Sequence, residues 1–253
     1  MRIAKFLSHA GLCSRRQAES WIEAGRVSVN GKVLDSPALV VGDDDVVLVD
    51  GKPVSLAAHV PMLWRYHKDA GVMTTNSDPE GRPTLFERLS PELPRVVTVG
   101  RLDYMSEGLI LLTNNGDLAR HLELPANGWI RRYRVRAFGQ INDRILEAIR
   151  RGPTVDKVQY KPIEIEVESV ASGMNSWLNI ALQEGKNREI RKVLAHFDLQ
   201  VNRLIRLSYG PFLLGSLPKN AAAEIPPKAM KSNISGFFKP KNATPQAVDQ
   251  HQE

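Results

Sequence analysis

Apolar and polar residues alternate with a period of two at Val27-Ser28-Val29, along 132–138 and along 163–170, which predicts half-buried strands. Leu109 to Leu112 is a short unbroken apolar run, and 95–99 is a second strand candidate. The period becomes helical at two places. Ile145, Leu146 and Ile149 follow Asn142, a residue suited to capping the helix they mark. Ile190, Val193, Leu194 and Phe197 fall at i, i+3, i+4 and i+7, with Arg188, Arg191 and Lys192 forming a basic ridge alongside. Ser14 and Gln17 fit a capping box and Gly25 a C′ stop, so a further helix spans roughly 15–24. Asn30-Gly31 then turns Val27–Val29 into a return strand at 32–34, and 46–49 adds another strand. From Leu63 to Leu217 successive strands often lack the intervening helices of a parallel sheet. The fold class is therefore α+β with mainly antiparallel pairing.

A chain of 253 residues holds one large domain or two ordinary ones, at about 100–200 residues each. Residues 1–60 read as a small helix-and-hairpin domain. Gly51, Pro53 and Pro61 mark a linker into a second domain, 61–218. Beyond it Pro218, Pro226, Pro227, Pro240 and Pro245 stand among lysines and small polar residues, so 219–253 reads as a mostly disordered basic tail.

Lys and Arg total 34 against 28 Asp and Glu, a net +6 that points to a polyanionic partner. The excess is concentrated. Arg2, Lys5, Arg15, Arg16, Arg26 and Lys32 lie in residues 1–34, while 35–50 carries five aspartates and no basic residue. Cys13 is the single cysteine and the six histidines are dispersed, so neither a disulfide nor a compact metal centre is expected. No apolar segment approaches the ~20 residues of a membrane span, and early basic residues interrupt any signal-peptide core. These features predict a cytoplasmic protein without a membrane partner. No G-x-G-x-x-G or Walker A pattern supports a nucleotide cofactor. Ser106 lacks the first glycine of a nucleophile elbow.

One polar loop stands out. Asp103 lies between Gly100 and Gly108, just before the apolar run at 109–112. A lone loop aspartate is most often an Asx-turn residue. Asp117 reads as the N-cap of the next helix.

Two resemblances add to this. "MRIAKFLSHAGLCSRRQAESWIEAGRVSVNGKVL" resembles the S4 RNA-binding domain, which implies phosphate and shape recognition of RNA by Arg15, Arg16, Arg26 and Lys32. "GRLDYMSEGLILLTNNGDLA" resembles the signature of the pseudouridine synthases, in the branch that carries an N-terminal S4 domain and modifies ribosomal RNA. Three further stretches fit that family: "LWRYHKDAGVMTTNSD", "RRYRVRAFG" and "EGKNREIRKVLAHFDLQVNRLIRLSYGPFLLGSL". The usual Lys-Pro-x-Gly of the first is here Lys68-Asp69-Ala70-Gly71, and Ser106 stands where the family usually has Thr.

The resemblance implies a catalytic Asp103, an active-site Tyr133 and Arg191 as the basic partner of the aspartate. It also implies RNA contacts from Arg101, Lys186 and Arg188, with Arg132, Arg134 and Arg136 near the RNA backbone. Isomerising uridine breaks N1–C1′ and joins C5 to C1′, consuming neither water nor a redox partner, so no cofactor is expected. A charged carboxylate can attack C1′ or remove a C2′ proton, and the sequence does not separate these routes. The expected partner is ribosomal RNA, most like that of the large-subunit enzymes, bound by a monomer. The alternatives are the same reaction on small-subunit RNA and a non-catalytic RNA-binding assembly factor. A glycosidic hydrolase would need a second carboxylate, for which Glu107 is the nearest candidate. His67 is expected to be structural.

Overall fold

Helix starts follow the capping residues. In the computed structural model, which describes residues 1–56, 60–170 and 174–238, Ser14 Oγ accepts from the Gln17 amide at 3.1 Å. Gln17 Oε1 returns the contact to the Ser14 amide at 2.9 Å. This box opens α2 (Arg15–Glu23), which follows α1 (Ile3–His9). Strands β1 (Val27–Val29) and β2 (Lys32–Val33) meet at Asn30-Gly31, both with the positive φ that a type I′ turn requires. With β3 (Val47–Val49) and β4 (Lys52–Val54) they form a sheet in the order β2-β1-β3-β4. Ile3, Leu7, Ala18, Ile22, Val27 and Val47 are buried in its core.

The second unit is built on a nine-stranded sheet. Its elements in chain order are β5 (Leu63–Lys68), β6 (Val97–Val99), β7 (Glu107–Thr113), α3 (Gly116–Glu123), β8 (Arg131–Phe138) and α4 (Asp143–Arg150). A small separate hairpin, β9 (Thr154–Val155) and β10 (Val158–Gln159), precedes β11 (Glu164–Val170) and β12 (Asn175–Leu182). Then come α5 (Glu189–His196), β13 (Gln200–Tyr209), β14 (Phe212–Leu213), β15 (Ala222–Glu224), α6 (Pro227–Asn233) and α7 (Ser235–Phe238). The main strand order is β11-β12-β8-β13-β7-β5-β15. β13 and β7 pair in parallel, while their other neighbours run antiparallel. Strand β7 is buried on both faces: Leu109 and Leu111 join the core beneath α3, while Ile110 and Leu112 join the opposite one. That explains its unbroken apolar sequence.

Three expectations change. Asn115, not Asp117, caps α3, its Oδ1 accepting from the Asp117 and Leu118 amides at 3.0 and 2.9 Å. Asp117 instead accepts from Lys5 Nζ at 2.7 Å, tying α1 to the second unit. The region from 219 is also more ordered than its prolines suggested. Pro227 occupies the first turn of α6, where a missing N–H costs nothing, and Met230 and Ile234, one turn apart, are buried against the α3 core. Strand β15 pairs with β5. The tail expectation beyond 238 lies outside the described residues. Finally, Arg132 and Arg134 do not stand free for RNA. Arg134 makes two 2.8 Å contacts to Glu168 and lies over Trp177, and Arg132 sits 3.5 Å from Glu164.

Candidate active site

The loop carrying Asp103 is held by its backbone. Leu102 O accepts from Thr74 Oγ1 at 2.9 Å, Tyr104 O from the Gly71 amide at 2.9 Å, and Met105 O from Arg191 Nη2 at 3.1 Å. The Ser106 amide donates to Asp103 O, closing the turn. The centre of this arrangement is Lys68 at the end of β5. Its ammonium is fully buried and its three N–H groups are shared among the carbonyls of Asp69, Asp103, Tyr104 and Ser106, at 2.7–3.2 Å. Every carbonyl from 102 to 106 thus has a donor. Burial pushes the Lys68 pKa down to about 8, opposed by the nearby Asp69, Asp103 and Glu107 carboxylates.

Gly108 lets β7 close on β13. Its φ is +103°, and a Cβ there would overlap the Arg206 carbonyl oxygen and amide nitrogen. Glu107, only 6% exposed, takes Arg203 as a two-pronged partner at 2.7 and 3.0 Å and Lys219 at 3.2 Å. The Arg203 hydrogen bonds hold its carboxyl below the usual range against the effect of burial. Lys219 also binds Asp69 at 2.7 Å, the residue standing where the family's proline is expected. So committed, Glu107 is not the second carboxylate of a hydrolase.

A cavity of about 290 Å³ opens beside this loop, at the small end of ligand pockets (roughly 300–1,000 Å³). Asp103, Tyr133 and Arg191 all line it, as do Arg101, Lys186 and Arg188. Tyr133 reaches it because β8 alternates: Tyr133, Val135 and Ala137 are buried, while Arg132 and Arg136 are exposed. Arg191 reaches it from the first turn of α5, whose Ile190, Val193 and Leu194 are buried in the core.

The cation nearest Asp103 differs from the expected one. Arg188 Nη1 lies 4.0 Å from Asp103 Oδ2, whereas Arg191 hydrogen-bonds Val201 O and Met105 O. Burial and then the Arg188 charge push the Arg191 guanidinium down, and Asp103 draws it back up. Arg191 thus braces the loop. Arg188 occupies the left-handed region at φ 53°, a conformation that costs a non-glycine residue of order 1 kcal/mol and clusters at functional sites.

The expected RNA-contacting residues divide. Arg15, Arg16, Lys32 and Arg101 are exposed and have no carboxylate within ion-pair distance among the described residues. Arg26 is committed to Asp50 at 2.6 and 2.9 Å and lies over Trp21. Lys186 is held by Glu184 at 2.6 Å and Gln159 O at 2.8 Å. Both are thus already partnered: Arg26 by an acid 24 residues away, Lys186 by its near neighbour Glu184 and the distant Gln159 carbonyl. His67 accepts the structural role expected of it, with Nδ1 2.7 Å from Leu217 O.

Sequence reasoning missed Lys68 and Arg206. Lys68 was inside a recognised stretch but had no assigned part. Arg206 is 3% exposed on β13 in register with Tyr133. A charged residue on the same strand face as Leu204 was the available signal for Arg206.

The RNA pseudouridylate synthase family matches residues 62–196, more than half the chain, and the S4 domain family matches residues 1–47. A Rickettsia bellii RNA pseudouridine synthase is 47% identical over 91% of this chain and 99% of its own. The ribosomal large subunit pseudouridine synthase B of Escherichia coli (strain K12) is 40% identical over 88% of this chain and 79% of its own. Among solved structures, a pseudouridylate synthase crystal structure shares the fold with a TM-score of 0.65. It covers 92% of this chain and 99% of its own at 21% identity. The chain belongs to the RNA pseudouridine synthases, with an S4 domain at its N-terminal end. It is an isomerase.

Proposed function

We propose that this enzyme converts a specific uridine of large-subunit ribosomal RNA to pseudouridine in the cytoplasm. The observation that carries the reaction is the loop of Asp103, every carbonyl of which has a donor, at the edge of a cavity that also holds Tyr133 and Arg191. Likeness to the Escherichia coli large-subunit enzyme supports the substrate.

A target uridine leaves its stack and enters the cavity, where Tyr133 supplies an aromatic surface for the base. Asp103 acts at the sugar, either on C1′ or on the C2′ proton, and both routes begin from a charged carboxylate. The Arg188 guanidinium lies 4.0 Å from that carboxylate. Arg101, exposed at the mouth, faces the backbone of the flipped nucleotide.

Incubating the enzyme with unmodified large- and small-subunit rRNA and mapping pseudouridine chemically tests the assignment. A single new site is expected, in the large-subunit RNA. A site in the small-subunit RNA alone would overturn the substrate assignment.

The S4 unit is assigned the sequence-independent part of binding. Replacing Arg15, Arg16 and Lys32 together by Gln is expected to lower the slope of log K against log salt by about 2, at roughly 0.7–0.9 per phosphate contact. Filter binding between about 50 and 200 mM salt measures it. An unchanged slope would remove these residues from the interface.

A further inference from the structure

Arg206 is a buried cation without a counter-ion. Its side chain is 3% exposed, and Nε donates to Leu109 O at 2.7 Å. Nη2 is fully buried and has no hydrogen-bond partner. No carboxylate lies within ion-pair distance among the described residues. Burying an unpaired charge or leaving a buried donor unmet is costly, so such a group is expected where a ligand completes it. The place is informative. Arg206 lines the Asp103 cavity, is the direct cross-strand neighbour of Tyr133, and lies beside Gly108 in the parallel pair. Arg101 and Arg188 are more exposed cations of the same cavity. Arg206 lies deeper, next to the tyrosine that faces the base.

Resting on the reading of this cavity as the uridine site, we infer that the Arg206 guanidinium donates to a carbonyl oxygen of the flipped uracil and stabilises the uracil anion as a leaving group. When the C1′–N1 bond breaks, its electron pair passes to N1 and spreads onto O2 and O4. A fixed cation at one of those oxygens meets charge as it develops, in a site where it is weakly screened. C5 then bonds C1′, the C5 hydrogen leaves as a proton, and N1 gains one, so the step consumes nothing. Arg206 is thereby a catalytic residue in addition to Asp103, and the oxygen it binds helps select a pyrimidine presenting a carbonyl there.

The test is a chemical cycle between enzyme and substrate. Large-subunit rRNA is assembled by ligation so that the modified position carries uridine, 2-thiouridine or 4-thiouridine, sulfur being the weaker hydrogen-bond acceptor. Single-turnover conversion is followed with wild type, Arg206→Lys and Arg206→Met, with RNA affinity and thermal midpoint measured for each. On uridine, Arg206→Met is expected to slow conversion by about 10²–10³-fold, the scale of losing one preorganised donor. Arg206→Lys, which keeps the charge, is expected to retain more. Thiolation at one of the two positions is expected to slow wild type by about tenfold or more and the Met variant by no further factor. Equal slowing of wild type and both variants at both positions, or equal activity of Lys and Met on uridine, would overturn the assignment and leave Arg206 a structural residue. Wild type that makes no pseudouridine on the unthiolated RNA would instead overturn the proposed function itself.

Discussion

Asp103→Asn is expected to abolish pseudouridine formation, by at least about 10⁴-fold, the scale on which removing one member of a catalytic unit acts. RNA affinity and thermal stability are expected to stay close to wild type. The geometry explains why the two effects separate. What holds the loop is its backbone, through Lys68, Thr74, Gly71 and Arg191, and the Asp103 side chain takes no part in that network. The carboxylate's nearest partner is Arg188 at 4.0 Å, too long to anchor the fold. Asn is nearly isosteric but cannot act as an anionic nucleophile or base. Single-turnover kinetics beside filter binding read both quantities. A variant that loses binding and stability together would show Asp103 to be structural.

Lys68→Met is also expected to produce a large loss, through position rather than chemistry. Lys68 does not line the cavity, yet its ammonium gathers four carbonyls of two loops. Without it the Asp103 and Tyr104 carbonyls keep the Ser106 and Gly71 amides, but those of Asp69 and Ser106 lose their donor. Each orphaned buried acceptor costs roughly 1–3 kcal/mol, partly offset by no longer burying a charge. A thermal midpoint lower by about 2–10 °C is expected. Turnover is expected to fall about 10²-fold or more, because a displacement of about 1 Å at a reacting group has that cost. The same lysine leaves a mark on pH dependence. Its folded pKa, about 8, lies below the ordinary 10.5, so between those values the unfolded chain binds more protons. Its contribution to stability is therefore flat below about pH 8 and rises from there toward 10.5. The Met variant is expected to lack that rise. A variant with full turnover and an unchanged stability profile would sink the anchoring role.

What was legible in the sequence is what neighbouring residues decide. The Ser14–Gln17 box, the Asn30-Gly31 turn and the Asn142 cap each act within four residues, and each appears where expected. The strand bearing Tyr133 alternates because one of its faces is core, so the buried side of Tyr133 could be read directly. Long-range pairings were not legible. Arg26 finds Asp50 and Arg134 finds Glu168 only once β1 meets β3 and β8 and β11 flank β12. Lys68 is separated by 35 to 38 residues from the loop it holds. Asn115 and Asp117 both suit a helix start, and only the side-chain geometry shows which oxygen meets the free amides. In the C-terminal region, prolines at 226 and 227 masked a short helix whose one buried residue, Met230, with Ile234 buried just past its end, is too little for a clear period.

The central claim is that the Asp103 carboxylate isomerises one uridine of ribosomal RNA. Its most direct test maps pseudouridine on unmodified rRNA treated in parallel with wild type and with Asp103→Asn at matched RNA occupancy. The account predicts one new pseudouridine, present with wild type and absent with the variant. The same site formed by both proteins, or no site formed by wild type on either subunit's RNA, would contradict it.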